Sequence, residues 1–145
     1  MATSFVFADE SETERFGSSL ATRLVAGSIV ALYGPLGAGK SVLVRGMARA
    51  LGIVEPITSP SYTIVAEYSS AIPLIHIDLY RTSSDEELEM LGFDEIISKP
   101  GIIAIEWADR ADNFLPMDSI RIHISICEGG REITIEGRNI EGLVD

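Results

Sequence analysis

Apolar residues along this chain recur with two periods, one typical of helices and the other typical of strands. Helical spacing extends over residues 9–26 and 41–51, and a glycine follows each segment. Two shorter helices are predicted at residues 85–91 and 94–98. The segments that alternate or run apolar in the manner of strands are residues 3–7, 28–33, 62–68, 74–80, 101–107, 119–126 and 131–136. This order of helices and strands predicts an α/β fold.

Short connections indicate that the sheet is mixed. Residues 69–73 are too few for the crossover that parallel strands need, so they predict an antiparallel hairpin. The turn residues Glu128, Gly129 and Gly130 predict a second hairpin between the last two strands. The unbroken apolar run 102–105 is typical of a strand that is covered on both faces.

A glycine-rich segment lies between the strand at 28–33 and the helix that follows it. Gly34-Pro35-Leu36-Gly37-Ala38-Gly39-Lys40-Ser41 fits the pattern G-x-x-x-x-G-K-S/T. In such a loop, backbone N–H groups and the helix N-terminus hold a polyphosphate, the lysine reaches the terminal phosphates, and the hydroxyl ligates Mg²⁺. The sequence therefore predicts a nucleoside triphosphate site within a three-layer P-loop NTPase-like domain with a mixed parallel and antiparallel sheet.

Composition narrows the classes of function. The 145 residues, 46% of them hydrophobic, suit one domain spanning residues 1–145. A net charge of −11 argues against a domain that grips nucleic acid by itself, because that affinity comes mainly from Lys and Arg. Cys127 is alone, so we expect a buried strand residue and no disulfide framework. No apolar run approaches about 18 residues and no signal pattern is seen, so we expect a cytoplasmic protein without membrane contact.

Two acids qualify as partners for a metal at the phosphate loop. Glu106 ends the apolar run 102–105, and Asp78 is the first aspartate after the loop, near the end of the strand at 74–80. Ligands bind at the carboxyl ends of strands in open α/β sheets, so either acid is placed to contact Mg²⁺ directly or through water. Each could instead be a solvated carboxylate at a strand end.

For several further polar and aromatic residues, the sequence allows a functional and a structural interpretation. His76 shares a strand face with Asp78 and either orients that acid or a water molecule, or is structural. Trp107 either fills the core or covers the nucleotide site or a partner surface. Arg81 and Arg110 either stabilise phosphoryl charge or form surface ion pairs.

The hydroxyl-rich segment 58–63 is either an ordinary loop or a switch that senses the γ-phosphate. His123, in the middle of a late strand, is read as structural.

Four motifs in order resemble one family. They are Leu36-Gly37-Ala38-Gly39-Lys40-Ser41, Ser59-Pro60-Ser61-Tyr62-Thr63, His76-x-Asp78-x-Tyr80-Arg81 and Ile105-Glu106-Trp107. Their order and spacing, and the total length, resemble the bacterial TsaE family, formerly called YjeE. The phosphate loop is generic, whereas the His76-x-Asp78-x-Tyr80-Arg81 and Glu106-Trp107 motifs are specific to that family.

The resemblance implies a small ATPase with ATP and Mg²⁺ as its cofactors. It would act with the TsaB and TsaD proteins to make the threonylcarbamoyl modification on adenosine beside the anticodon of tRNA. TsaD performs the transfer, while the TsaE partner hydrolyses ATP to sustain turnover and meets tRNA only through the complex.

The resemblance also implies roles for individual residues. Ser41 and Glu106 become Mg²⁺ ligands, Asp78 a catalytic acid near the γ-phosphate and the metal, and Thr63 part of the switch-like segment. The residues expected to act in catalysis are Lys40, Thr63, Asp78 and Glu106. The residues expected to bind the nucleotide are Glu10, Leu36, Gly37, Ala38, Gly39, Lys40, Ser41, Trp107, Arg131 and Glu132, of which Glu10, Arg131 and Glu132 are fixed by no motif.

Two departures from the family pattern are visible. Ser41 stands where the family more often has threonine, a change that keeps the hydroxyl, and Pro35 stands where an acidic residue is common.

Two other functions fit the phosphate loop. A small-molecule kinase of the shikimate or nucleotide type needs an acceptor-binding acid or arginine soon after the loop helix, and an arginine-rich lid. No aspartate lies between Ser41 and His76, and no run of arginines is typical of a lid. A nucleotide-sensing module with negligible hydrolysis is opposed only weakly by Asp78 and Glu106, because metal ligands also serve binding.

Overall fold

The computed structural model describes residues 2–58 and 64–137. Its strands are β1 (Ala2–Phe7), β2 (Ile29–Tyr33), β3 (Val65–Tyr68), β4 (Leu74–Asp78), β5 (Ile102–Glu106), β6 (Ile120–Cys127) and β7 (Gly130–Glu136). Its helices are α1 (Glu10–Ala21), α2 (Lys40–Ala50), α3 (Asp85–Leu91) and α4 (Phe93–Ile96), with a 3₁₀ helix at Ala108–Ala111. Each predicted helix and strand has a counterpart, although residues 62 and 63 of the third predicted strand lie outside the described residues.

The seven strands form one mixed sheet in the order β1-β7-β6-β2-β5-β4-β3. β2 is parallel to both of its neighbours, β5 and β6, and β4 is parallel to β5. The pairs β3–β4, β6–β7 and β1–β7 are antiparallel. The α/β class, the mixed sheet and both predicted hairpins are confirmed.

Helices cover both faces of the sheet, which gives three layers. Along β2 the side chains alternate, so Val30 and Leu32 pack in the cluster that holds α1 and α2. Ile29 and Ala31 pack in the opposite cluster, with α3 and α4. The central strands are therefore apolar on both faces, and their parallel carboxyl ends meet at one edge of the sheet.

Helix α1 is shorter than predicted. It begins after Asp9, whose Oδ1 accepts the Glu12 N–H at 3.0 Å, but it ends at Ala21 instead of residue 26. Beyond Ala21 the chain makes tight turns, and the Leu24 N–H donates to the Ala21 carbonyl at 3.2 Å. Leu24 is still buried, so the apolar periodicity continues after the helical backbone has ended.

Two smaller expectations need correction. At α3, Ser84 accepts the Glu87 N–H as predicted, but the Glu87 carboxylate accepts from Ser83. The reciprocal bond of the capping box thus falls one residue earlier than the Ser84 motif indicates. Cys127 is half-buried instead of buried, because it is the last residue of β6 and lies beside the turn to β7.

Candidate nucleotide-binding site

The loop at residues 34–39 joins β2 to α2 and depends on its glycines. Gly34 has φ 153°, and a Cβ there would lie 2.4 Å from the carbonyl oxygen of Ile124. Gly39 has φ 111° and is the residue from which α2 begins. The first N–H groups of a helix have no intrahelical acceptor, so this end of α2 is a ready anion site.

Lys40 already lies inside the loop. The residue is 5% exposed, and its Nζ donates to the carbonyl oxygens of Gly34 at 2.5 Å and Pro35 at 3.0 Å. The same Nζ lies 4.2 Å from the centre of the Trp107 ring. Pro35 thus supplies one of the acceptors for the lysine.

The positive charge of Lys40 is destabilised by its burial. Burial lowers the pKa of this ammonium group below the ordinary value of 10.5, and the carboxylates of Glu106, Asp78 and Asp109 oppose that shift. Burial has the larger effect. The phosphate loop therefore contains a cation that an anionic ligand would stabilise further.

The three polar side chains Ser41, His76 and Glu106 meet at the sheet edge beneath the loop. The Ser41 hydroxyl lies 3.2 Å and 3.1 Å from Oε1 and Oε2 of Glu106. His76 Nε2 lies 2.6 Å from the same Oε2. Asp78 is paired in register with Glu106, is 5% exposed, and accepts the Tyr80 N–H at 2.9 Å through Oδ1.

These side chains fit a magnesium ion by the chemistry of their donors. A hydroxyl and a carboxylate are the hard oxygen ligands that Mg²⁺ takes, and in nucleotide sites phosphate oxygens and water complete its shell. No group of three or more His, Cys, Asp or Glu residues suited to a metal occurs among residues 2–58 and 64–137. Ser41 and Glu106 thus suit a metal whose remaining ligands come from a phosphate and from water.

A cavity of about 470 Å³ unites most of the predicted residues. It is lined by Glu10, Leu36, Gly37, Ala38, Gly39, Lys40, Ser41, Val42, Asp78, Tyr80, Arg81, Glu106 and Trp107. Val42 and Tyr80 were not predicted as site residues, although Tyr80 belongs to a quoted motif. Residues from β4, β5 and the start of α1 and α2 converge here, as the strand-end argument expects.

A second cavity, of about 300 Å³, shares loop residues with the first and includes Glu10, Thr13 and Arg131 in its lining. Arg131 Nε donates to the Ala38 carbonyl at 3.1 Å and its Nη2 to the Gly37 carbonyl at 3.3 Å. Arg131 of the final hairpin thus contacts the phosphate loop through two hydrogen bonds.

Glu132 lines neither of these two cavities. Successive residues of a strand face opposite sides of the sheet, so Glu132 points away from the side occupied by Arg131.

Trp107 follows Glu106 in an unusual backbone conformation. Its φ is 57°, which is rare for a residue with a side chain, and its ring packs against that of Tyr80 with centres 5.0 Å apart. Arg110 lies 5.8 Å from the same ring and donates to the carbonyl oxygens of Tyr80, at 2.9 Å, and Thr82. Arg110 is therefore a brace for the loop after β4, whereas Arg81 lines the cavity.

Two other predictions have different outcomes. Thr63 and the rest of segment 59–63 lie outside the described residues, so their role as a switch stays a prediction. His123 is half-exposed on β6, stacks on Tyr33 with ring centres 4.6 Å apart, and lies 3.2 Å from Glu136. Those contacts agree with a structural histidine.

Comparison with known proteins decides the family. The family model described as threonylcarbamoyl adenosine biosynthesis protein TsaE matches residues 7–133. This chain belongs to the TsaE family. It is accordingly a TsaE-family protein of tRNA threonylcarbamoyladenosine biosynthesis.

Individual TsaE proteins agree along most of their length. The tRNA threonylcarbamoyladenosine biosynthesis protein TsaE of Treponema pallidum is 39% identical over 125 residues, which cover 86% of this chain and 93% of the relative. The protein of the same name from Nostoc sp. is 40% identical over 138 residues, covering 92% and 85%.

A solved structure matches the fold of this TsaE-family chain. The crystal structure of YdiB from Bacillus subtilis superposes with a TM-score of 0.82 at 29% identity, covering 94% of this chain and 86% of YdiB. The predicted P-loop NTPase-like fold is confirmed. Within the described part of the chain, no helix combines the length and apolar character that crossing a membrane requires.

Proposed function

We propose that this TsaE-family chain is a Mg²⁺-dependent ATPase domain, weak alone and dependent on partners, that supports tRNA threonylcarbamoyladenosine synthesis. The observation that carries the proposal is the contact of the Ser41 hydroxyl with the Glu106 carboxylate, at 3.1 Å, beneath a loop that already contains Lys40. A hydroxyl and an acid in this relation to a phosphate loop are the parts with which P-loop NTPases hold their metal.

Phosphate binding would fall to the loop and its lysine. Mg²⁺ held by Ser41 and Glu106 would neutralise charge on the phosphate oxygens. The N–H groups at the start of α2 would donate to the phosphates. Lys40 now donates to two neutral carbonyl groups, and phosphate oxygens would replace these with charged acceptors that bind an ammonium group more strongly.

Asp78 is assigned to the attacking water. It lines the same cavity as Lys40, and its bond from the Tyr80 N–H fixes the direction of the carboxylate. A carboxylate so placed would orient a water molecule toward the γ-phosphate and accept its proton. We assign Thr63 to the switch segment that approaches the same phosphate.

The nucleoside end of ATP is assigned to the second cavity, beside Glu10 and Arg131. The cavity adjoins the phosphate loop through residues that also line the first one. Glu132 is left out of this assignment because of its place on the opposite face of β7. Trp107 would lie on the phosphate side, against Lys40.

The partners are assigned from the family. TsaB and TsaD would hold tRNA in the cytoplasm, TsaD would perform the transfer, and hydrolysis by this chain would sustain their turnover. The net charge of −11 supports a role in which the chain does not itself grip the tRNA.

Phosphate release tests this function. We expect slow release from ATP and Mg²⁺ by the chain alone, and faster release when TsaB and TsaD are added. Lys40→Ala and Glu106→Ala should abolish both rates, while Ser11→Ala, at an exposed position of α1, should change neither. Transfer of phosphate to shikimate or to a nucleoside monophosphate would show instead that the chain is a kinase.

A further inference from the structure

The buried histidine His76 has no role in the mechanism proposed above. Its side chain is 0% exposed in β4, where its neighbours in register are Ala66 of β3 and Ala104 of β5. Two alanines beside it leave space on this face of the sheet for an imidazole ring. The ring extends along the sheet toward the carboxyl end of β5.

One hydrogen bond holds the ring. Nε2 lies 2.6 Å from Oε2 of Glu106, and within residues 2–58 and 64–137 Nδ1 has no hydrogen-bond partner. A carboxylate only accepts, so Nε2 carries the proton and donates it. Within the described part of the chain, the one hydrogen bond of the His76 ring is therefore with the acid assigned to the metal.

That bond restricts the orientation of Glu106. The terminal torsion of a glutamate is broad, so its carboxylate alone would sample many directions. Here Oε2 is tied to His76, while both carboxylate oxygens stay within 3.2 Å of the Ser41 hydroxyl. Acids that bind metals are commonly fixed in this way by a second hydrogen-bonding group.

We propose that His76 is a positioning residue, whose Nε2–H bond holds Glu106 in the direction from which it binds Mg²⁺ together with Ser41. The proposal rests on the proposed function, because it concerns the same metal. It assigns to His76 an effect on metal affinity beyond its effect on the stability of the sheet.

Two substitutions of His76 distinguish the effect of its hydrogen bond to Glu106 from the effect of removing the imidazole ring. In His76→Gln the amide nitrogen reaches about as far as Nε2 and can still donate to Glu106. In His76→Asn the amide nitrogen reaches only about as far as Nδ1, so the bond is lost. The control is His123→Gln, at the only other histidine of the chain, which is outside the site.

The measurement is a Mg²⁺ titration of each variant saturated with a non-hydrolysable ATP analogue, followed by the fluorescence of Trp107. For His76→Asn we expect the Mg²⁺ midpoint to rise about 10-fold or more, the effect typical of losing a group that orients a metal ligand. His76→Gln and His123→Gln should stay within about threefold of the wild type on the same basis. Affinity for the analogue in EDTA should be the same for all four proteins.

Each outcome decides the proposal. Equal Mg²⁺ midpoints for His76→Asn and the wild type, or an equal rise in His76→Gln, would overturn the role of His76 while leaving the ATPase intact. A wild type that binds no analogue at all would instead refute the proposed function.

A measurement on the wild type covers the case in which His76→Asn does not fold. In ¹⁵N spectra of the histidine rings with bound analogue, Nε2 of His76 should carry a proton and change its shift when Mg²⁺ is added, while His123 stays constant. An unchanged Nε2 shift would contradict the proposal.

Discussion

At the scale of single residues, the proposed role of Lys40 in nucleotide binding conflicts with the stability of the fold. Its ammonium group is 5% exposed, and burial lowers its pKa. Lys40→Met removes the buried charge but also the proposed phosphate ligand. We therefore expect this variant to lose ATP binding in calorimetry while its thermal unfolding midpoint is retained or raised. A clearly lower midpoint would show that the lysine stabilises the empty loop.

The lowered pKa of Lys40 also predicts how its effect on stability varies with pH. In the unfolded chain the pKa is about 10.5, so below the lowered folded value the charged lysine costs the native state free energy. That cost disappears as the pH rises through the lowered value toward 10.5. The difference in unfolding free energy between Lys40→Met and the wild type should thus shrink on going from pH 7 into this alkaline range, as measured by urea unfolding. If the difference in unfolding free energy did not change with pH, the pKa of Lys40 would not be lowered in the folded protein.

At the scale of elements, two glycines set the contact of α1 with α2. A Cβ on Gly46 would lie 2.0 Å from the Glu14 carbonyl oxygen, and one on Gly17 would lie 2.1 Å from the Leu43 carbonyl oxygen. Alanine has the higher helix propensity by about 1 kcal/mol, so Gly46→Ala would stabilise a free helix. We expect it instead to destabilise this protein by about 1–3 kcal/mol through overpacking, measured by urea unfolding.

Ser11→Ala, at an exposed position of α1, is the matched control for that measurement and should change stability by less than about 0.5 kcal/mol. A neutral or stabilising Gly46→Ala would mean that the two helices separate at little cost.

Tyr33, the last residue of β2, forms a hydrogen bond through its phenol group to the segment after the 3₁₀ helix. Tyr33 donates to Oδ1 of Asp112 at 2.9 Å, and burial together with this bond raises the pKa of Tyr33 to about 12. Asp112→Asn should lower that pKa toward the ordinary 10, as read from phenolate absorbance, with Tyr33→Phe identifying the signal. Because the pKa is raised in the fold, the neutral phenol stabilises fully below pH 10 and this effect is lost as the pH approaches about 12. If the pKa of Tyr33 in Asp112→Asn were the same as in the wild type, the hydrogen bond to Asp112 would not be a cause of the raised value.

At the scale of the whole molecule, the sequence was most informative where short-range rules apply. The phosphate loop is contiguous, and Asp78 and Glu106 each end a strand, so their shared edge followed from the rule for parallel sheets. The hairpins followed from connections too short for a crossover.

Contacts that depend on the register between strands could not be predicted from the sequence. His76 contacts Glu106 because β4 and β5 pair Asp78 with Glu106, a register that no local pattern specifies. Arg131 meets the loop while Glu132 does not, because a shift of one residue along β7 exchanges the faces. Helix α1 ends early although its apolar spacing continues, so periodicity located the core face and missed the boundary.

The central claim is that Lys40, Ser41 and Glu106 form one site for ATP and Mg²⁺. Titration calorimetry with a non-hydrolysable ATP analogue, with and without Mg²⁺, tests it on the wild type and on Ser41→Ala. We predict that Mg²⁺ tightens binding to the wild type and has little effect on Ser41→Ala, while the two proteins bind equally in EDTA. Equal tightening by Mg²⁺ in both proteins would contradict the account.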